Sequence, residues 1–114
     1  MLDKFIHWYI IALSTLTNNL RSHTMKVSNI TNNRNNVVAN QFIIYDDNKT
    51  YFQSYKSIIV RIERLEGKEV TTLDPVYWNY SRTTSKHRSS FLGESTKETE
   101  LKIKQGVYIL ENLN

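Results

Sequence analysis

The part of the sequence best suited to chemistry is a run of cations and hydroxyls at residues 80–94, YSRTTSKHRSSFLGE. Three cations lie within seven positions, and serine or threonine fills most of the places between them. Hydroxyl, guanidinium and ammonium groups near a helix start donate hydrogen bonds to phosphate oxygens, and the helix dipole adds to the attraction. The pattern predicts a nucleic-acid-binding surface formed by Arg82, Thr83, Thr84, Lys86, His87 and Arg88.

The same run has a simpler interpretation. A solvated helix face, on which hydroxyls only cap and turn the backbone, would have the same composition. In a helix, Arg82, Lys86 and Ser89 share one side, which suits either interpretation. The sequence contains no glycine-rich phosphate loop, so it gives no support to a nucleotide-hydrolysing site.

Aromatic side chains offer a second way to hold a nucleic acid, because each stacked base contributes roughly 1–3 kcal/mol. Tyr51 and Tyr55 are expected to be exposed and are therefore the candidates for stacking. In a domain this small, however, most aromatic residues fill the core and the space between helix and sheet. That core role is predicted for Phe42, Phe52, Trp78 and Phe91.

Residues for metal binding or catalysis are hard to assemble from this sequence. Cysteine is absent, which excludes a disulfide framework and thiolate metal ligands. His7, His23 and His87 are scattered, with no second histidine or carboxylate at ligand spacing. The adjacent acids Asp46 and Asp47 are more typical of a hairpin turn than of a catalytic pair. We therefore expect no metal, no cofactor and no enzymatic activity.

Length and charge limit the classes of protein to which this chain can belong. The chain has 114 residues, enough for one domain, and its formal net charge of +4 fits a polyanionic partner without requiring one. No stretch reaches the roughly 18 apolar residues that cross a bilayer. The longest apolar run, residues 5–13, contains His7 and resembles only faintly the core of a signal peptide. These observations favour a small cytoplasmic protein.

Two segments precede the predicted domain. Residues 1–24 carry apolar side chains three and four positions apart, which predicts an apolar helix. An upstream start, with Met25 as the native first residue, explains that segment equally well. Residues 25–36 are rich in asparagine and have little to bury, which predicts a flexible linker. The compact domain is then expected over residues 37–114.

Strand patterns dominate the first half of the predicted domain. The β-branched and aromatic runs are separated by turn residues, and they lie at residues 41–45, 50–55, 57–65 and 69–73. Together they predict a small antiparallel sheet of about four strands. Residues 107–110 offer either a last strand or a tail that packs on the sheet.

Helix signals occupy the second half. An Asp-Pro step at Asp74 favours a short helical turn, and residues 81–92 fit a helix that ends at Gly93. Ser95 and Glu98 match a capping box for a further helix. The predicted fold is therefore α+β, with about four antiparallel strands followed by two or three short helices.

The run WNYSRTTSKHRSSFLGE at residues 78–94, with the ending KIKQGVYIL at 102–110, resembles a family of short uncharacterised proteins from bacteriophages and mobile elements. The shared signature is YSxTTSKxxxxFLGE, and this chain has His87 where the family has tyrosine. The resemblance covers residues 40–114. It implies a phage or mobile-element origin and supports Met25 as the native start, but it brings no known activity and no catalytic residues.

Two functional hypotheses follow. The first is a small non-enzymatic binding module that contacts DNA or RNA through the basic run, with an affinity that falls steeply with salt. The second is a protein-binding module, either an inhibitor of a host or defence factor or a homo-oligomeric accessory protein. It would use an exposed strand edge and the apolar N-terminal segment.

Overall fold

The computed structural model describes residues 25–114, and over that range the chain is an α+β domain. The strands are β1 (Lys26–Thr31), β2 (Val37–Asp46), β3 (Lys49–Ser54), β4 (Ser57–Leu65), β5 (Lys68–Leu73) and β6 (Ile109–Leu110), and the helices are α1 (Arg82–Leu92) and α2 (Thr96–Lys104). The predicted apolar helix over residues 1–24 lies outside the described residues. No helix between residues 25 and 114 is both long enough and apolar enough to cross a membrane.

The strands form a single sheet in chain order, β1-β2-β3-β4-β5-β6. Neighbours from β1 to β5 are antiparallel, whereas the short β6 runs parallel to β5. The prediction of about four strands is therefore too low. The two strands that lie beyond the four predicted ones are those at the edges of the sheet.

Strand β1 lies in the segment that was predicted to be a flexible linker. Ile30 is only 8% exposed and joins the core, which anchors the strand. The loop that follows β1 is closed by Asn32, whose Oδ1 accepts hydrogen bonds from the backbone N–H groups of Arg34 and Asn36 at 2.9 and 3.0 Å. The side chain of Asn32 thus stabilises a turn in a segment whose asparagine content predicts a flexible linker.

Tight turns with left-handed residues join the central strands. Asp47 has φ 51° between β2 and β3, as expected for an acid in a hairpin turn. Glu66 and Gly67, with φ 50° and 77°, form the turn between β4 and β5. Tyr55, with φ 57°, lies between β3 and β4, although aromatic residues seldom adopt this backbone conformation.

One face of the sheet packs against the helices. Phe52 of β3 and Val60 of β4 are completely buried on that face, and the ring of Phe91 from α1 stacks on Phe52 with centroids 5.7 Å apart. Trp78 and Phe91 are partly buried against the same core, as predicted. Phe42 is the exception, because it pairs with Gln53 and so alternates to the opposite face of the sheet.

Asp74 organises the chain where the sheet ends. Its Oδ2 accepts from the N–H groups of Val76 and Tyr77 at 3.0 and 3.1 Å. Its Oδ1 accepts from Leu113 N–H and Asn114 Nδ2 at 2.9 and 3.1 Å. Burial raises the pKa of Asp74, but these four hydrogen bonds together lower it more, so the net pKa lies below its ordinary value. The predicted helical turn is present as a single turn, in which the backbone N–H of Trp78 donates to the carbonyl of Asp74 at 3.0 Å.

Both predicted helices begin with the expected serine cap, and α1 also ends at the expected glycine, whereas α2 ends at Lys104 with Gln105 as its C-cap. Ser81 precedes α1, and its Oγ accepts from Thr84 N–H at 3.2 Å. Gly93, with φ 71°, ends α1 in the left-handed conformation. Ser95 caps α2 in the same way, because its Oγ accepts from Glu98 N–H at 3.2 Å.

Candidate nucleic-acid interface

Helix α1 places the residues of the basic run on two opposite faces. Arg82, Thr83 and Lys86 are exposed to solvent, whereas Thr84 and Arg88 are completely buried. The 3.6-residue repeat of the helix accounts for the division, because positions 82 and 86 lie on one side and positions 84 and 88 on the other. The six predicted residues therefore do not form one surface.

The expectation that Arg88 faces solvent is wrong. Its guanidinium donates a hydrogen bond to the backbone carbonyl of Trp78 and another, of 2.7 Å, to Thr96 Oγ1. The same group lies 5.1 Å from the centroid of the Trp78 ring, a cation–π contact. Burial lowers the pKa of Arg88, and the charge of Glu94 partly offsets that effect. Arg88 therefore joins the turn after β5 to α1 and α2.

Thr84 also has a structural position. Its Oγ1 and the Oγ of Ser54 share a hydrogen bond of 2.9 Å, and both side chains are completely buried. This bond fixes the first turn of α1 to the end of β3. Because its hydroxyl is inside the domain, Thr84 is not available to a phosphate, contrary to the prediction from the sequence.

Arg82 and Lys86 remain available to an anion. Neither side chain forms an ion pair with any residue from 25 to 114. The first turn of α1 contains no acidic residue. The N–H groups of Arg82 and Thr83 lie at the positive end of the helix dipole, where the first amides of a helix have no partner within it. The exposed face of α1 is therefore locally cationic.

His87 lies at the boundary between the two faces and is partly buried. Burial, followed by the nearby charge of Lys86, lowers the pKa of His87 below its ordinary value. The shift favours the neutral form of the ring at pH 7, so His87 adds little positive charge to the surface. The role of His87 in binding nucleic acid stays a prediction.

The two tyrosines predicted to stack lie in different places. Tyr55 is 50% exposed in the turn after β3 and directly follows Ser54, which is bonded to α1. Tyr55 and its neighbour Lys56 therefore lie at the same end of the sheet as the first turn of α1. Tyr51 alternates with the buried Phe52 and lies on the face away from the helices. Only Tyr55 is brought together with the basic helix.

A groove opens where the last turn of α1 meets strands β1 and β2. It has a volume of about 380 Å³, and Asn29, Ile30, Ile43, Tyr45, Ser90 and Phe91 are among the residues that line it. The sequence does not predict this groove, because the composition of residues 29–31 is that of a linker and not of a strand. The alternation of β2 could have placed Tyr45 on the helix side of the sheet, since it lies two residues beyond Ile43.

A second charged cluster lies at the junction of α1 and α2. Glu94, with a side chain 3% exposed, lies 2.9 Å from Lys102 Nζ and accepts a hydrogen bond from Tyr108 Oη. The bond to Glu94 raises the pKa of Lys102, while burial raises the pKa of Tyr108. The cluster fastens the segment before β6 to the helices. Among residues 25–114, no group of three or more histidine or acidic side chains could hold a metal ion.

The fold and this site define a small α+β domain with one cationic helix face. Residues 25–107 match the model of a family of unknown function, DUF8033, and the chain belongs to that family. The match begins just before β1 and ends just before β6, so it includes the basic helix and the groove. No curated protein and no solved structure matches the chain.

Proposed function

We propose that the domain is a small non-enzymatic binding module that holds nucleic acid along the exposed face of α1. The observation that supports this proposal is the pair Arg82 and Lys86, one turn apart and without an acidic partner in the described part of the chain. Thr83 adds a hydroxyl, and Tyr55 with Lys56 extends the surface beyond the helix. Such contacts hold phosphates and do not read sequence.

The small number of cations limits the expected affinity. Each phosphate contact contributes roughly 0.7–0.9 to the slope of log affinity against log salt, so two or three contacts give a slope of about −1.4 to −2.7. Binding of this kind has dissociation constants of about 10⁻⁴–10⁻⁶ M at physiological salt. The interaction is therefore best measured at low salt and then followed as salt increases.

The test is a charge reversal on the exposed face of α1. The double variant Arg82→Glu with Lys86→Glu is expected to weaken binding of a fluorescent oligonucleotide by at least about tenfold and to lower the salt slope by about 2. The matched control is Lys68→Glu with Lys104→Glu, which changes the net charge equally. Lys68 lies at the opposite end of the sheet from Tyr55, and Lys104 lies in the last turn of α2.

Fluorescence anisotropy over a salt series compares the two double variants. Circular dichroism first establishes that both remain folded, as exposed positions allow. Equal losses in the two variants would mean that only net charge matters, and the assignment to α1 would be abandoned. Unchanged binding in the Arg82→Glu, Lys86→Glu variant at low salt would sink the nucleic-acid proposal itself.

A second candidate function, binding of a protein, is favoured by strand β1. This six-residue edge strand is exposed at every position except Ile30, and no strand between residues 25 and 114 pairs with its outer side. An unpaired edge can accept a strand from a host factor or from a second copy. Capture of a partner that survives nuclease treatment would favour this function over the first. A phage or mobile-element origin and a cytoplasmic location in the host remain proposals with either function.

A further inference from the structure

The exposed face of α1 carries a row of side chains that leads to the groove. Arg82, Lys86 and Ser90 are each separated by four residues, so they lie along the same side of the helix. All three are exposed, and Ser90 also lines the groove. From position 82 to position 90 the helix rises about 12 Å. A nucleic-acid strand presents several phosphates over that length.

The groove has the size and chemistry of a site for one small planar group. Its volume of about 380 Å³ is near the lower end of the roughly 300–1,000 Å³ typical of ligand pockets. Ile30, Ile43 and Phe91 supply apolar surface in the groove and also belong to the core or pack against it. Tyr45 contributes an aromatic ring that is 50% exposed.

Polar groups in the groove are available to such a ligand. The hydroxyls of Tyr45 and Ser90 have no hydrogen-bond partner within residues 25–114. Donors and acceptors beside an aromatic ring are the groups that hold the edge of an unpaired base.

The charges around the groove favour a ligand in which a neutral ring is attached to an anionic backbone. Lys26 lies opposite Tyr45 across β1 and β2 and adds a cation at this end of the site. Asp46 follows Tyr45 directly, but the alternation of β2 turns it to the other face of the sheet. Within the groove itself no charged side chain is present among the lining residues.

We propose that this groove receives one unpaired base of a single-stranded nucleic acid, stacked on Tyr45, while Arg82 and Lys86 hold its phosphates. This inference rests on the proposed function and adds a ligand class to it, a single strand rather than a duplex. A base inside a duplex is stacked and paired, so it cannot enter the groove without being flipped out. Phosphate contacts alone would not distinguish the two forms.

The experiment compares three fluorescent probes of equal length on the full chain at low salt. The probes are a single strand, a single strand in which every base has been removed, and a duplex. The intact single strand is expected to bind roughly 5- to 100-fold more tightly than the abasic strand, because a stacked base supplies that difference. The duplex is expected to bind no more tightly than the abasic strand once the number of phosphates is taken into account.

Two variants test whether the base binds in the groove. Tyr45→Leu keeps an apolar side chain on β2 and removes the ring, so it is expected to abolish the preference for the intact strand. Ser90→Leu is expected to do the same by filling the mouth of the groove, and leucine at an exposed helix position preserves the fold. Tyr51→Leu, on the other face of the sheet, is the matched control and is expected to leave the preference unchanged.

The outcomes separate this inference from the function on which it rests. Equal binding of intact and abasic strands, both weakened by Arg82→Glu with Lys86→Glu, would overturn the groove assignment and leave the proposed function standing. Loss of the preference in Tyr51→Leu and not in Tyr45→Leu would also overturn it, because the base would then stack on the other face. Failure of all three probes to bind would remove both proposals.

Discussion

The two faces of α1 use the same residue types in opposite environments. On the outer face, Arg82 is exposed and has no acidic partner within the described residues. On the inner face, Arg88 is completely buried and bonded to Trp78 and Thr96. The two arginines are six positions apart, which turns the helix by about 240° beyond one full turn. Their opposite environments therefore follow from helix geometry.

The difference shows why a cluster of cations in a sequence is weak evidence for a binding surface. Water solvates an exposed guanidinium, so Arg82 can remain unpaired at little cost. A buried guanidinium loses that water, and its hydrogen bonds and the ring of Trp78 must replace it. Within residues 25–114 Arg82 therefore has no acidic partner that would compete with a ligand, whereas Arg88 already has its partners inside the domain.

Truncation of each arginine in turn tests whether the two faces of α1 have different roles. Arg88→Ala is expected to lower the free energy of unfolding by roughly 2–4 kcal/mol, because it leaves a cavity and deprives the partly buried Trp78 carbonyl and Thr96 hydroxyl of their donor. A domain of this size has a total stability of about 5–13 kcal/mol. Urea unfolding followed by circular dichroism measures the change.

Arg82→Ala is the control for that experiment. As an exposed substitution to a good helix former, it is expected to change the free energy of unfolding by less than about 0.5 kcal/mol. Its binding of nucleic acid is expected to weaken, while folded Arg88→Ala binds as the unmodified protein does. Equal unfolding midpoints for the two variants would contradict the structural position assigned to Arg88.

A substitution of Asp74 tests the turn that holds the Trp78 carbonyl next to Arg88 on the inner face of α1. Asp74 shapes the turn that carries the Trp78 carbonyl to Arg88, since the backbone N–H of Trp78 also bonds to the Asp74 carbonyl at 3.0 Å. Asp74→Asn keeps one acceptor oxygen and replaces the other with a donor. We therefore expect a loss of about 1–3 kcal/mol of stability at pH 7, measured by urea unfolding, with little change in nucleic-acid binding.

The contribution of the Asp74 carboxylate should depend on pH. Its pKa is lower in the folded than in the unfolded chain, so protonation favours unfolding. The stabilisation is fully present above the ordinary value near 3.8 and is lost as pH falls through the lower, folded pKa. The stability gap between unmodified protein and Asp74→Asn should thus shrink in acid. The exposed Glu69→Gln is the control, and a gap that stays constant would contradict this account.

Much of the fold could be predicted from the sequence because its signals are local. The apolar alternation of β4, the serine caps of both helices and the left-handed Gly93 each depend on a few neighbouring residues. Strand β1 could not be predicted in this way, and β6 was predicted only as one of two alternatives for residues 107–110. Strand β1 depends on Ile30 reaching a core made by distant residues, and β6 has only two residues and pairs with a strand 37 positions earlier.

The candidate site was predicted only in part. The sequence located the basic helix, and Arg82, Thr83 and Lys86 are exposed there as expected. It could not show that Arg88 would be covered, because the residues that cover it, Trp78 and Thr96, lie in other segments. The groove was missed for the same reason, since it forms only when β1 and β2 meet the end of α1.

The smallest expected effect concerns Tyr55, which extends the outer face of α1 from a strained turn. Five non-glycine residues in the described part have positive φ, and three of them are asparagine or aspartate, which tolerate that backbone. Tyr55 and Glu66 are the other two. Tyr55 is held there by hydrogen bonds of 2.7 Å from its N–H to the carbonyl of Asn40 and from the Gln53 side chain to its own carbonyl.

Replacing each strained residue with asparagine separates backbone strain from function. Tyr55→Asn and Glu66→Asn should each stabilise the domain by up to about 1 kcal/mol, because asparagine adopts the left-handed conformation more readily. Only Tyr55→Asn should also weaken binding of a single strand, since only Tyr55 lies beside α1. Thermal unfolding and anisotropy measure the two effects. If Tyr55→Asn raised stability without any loss of binding, Tyr55 would be a turn residue alone, and the outer surface would end at Arg82.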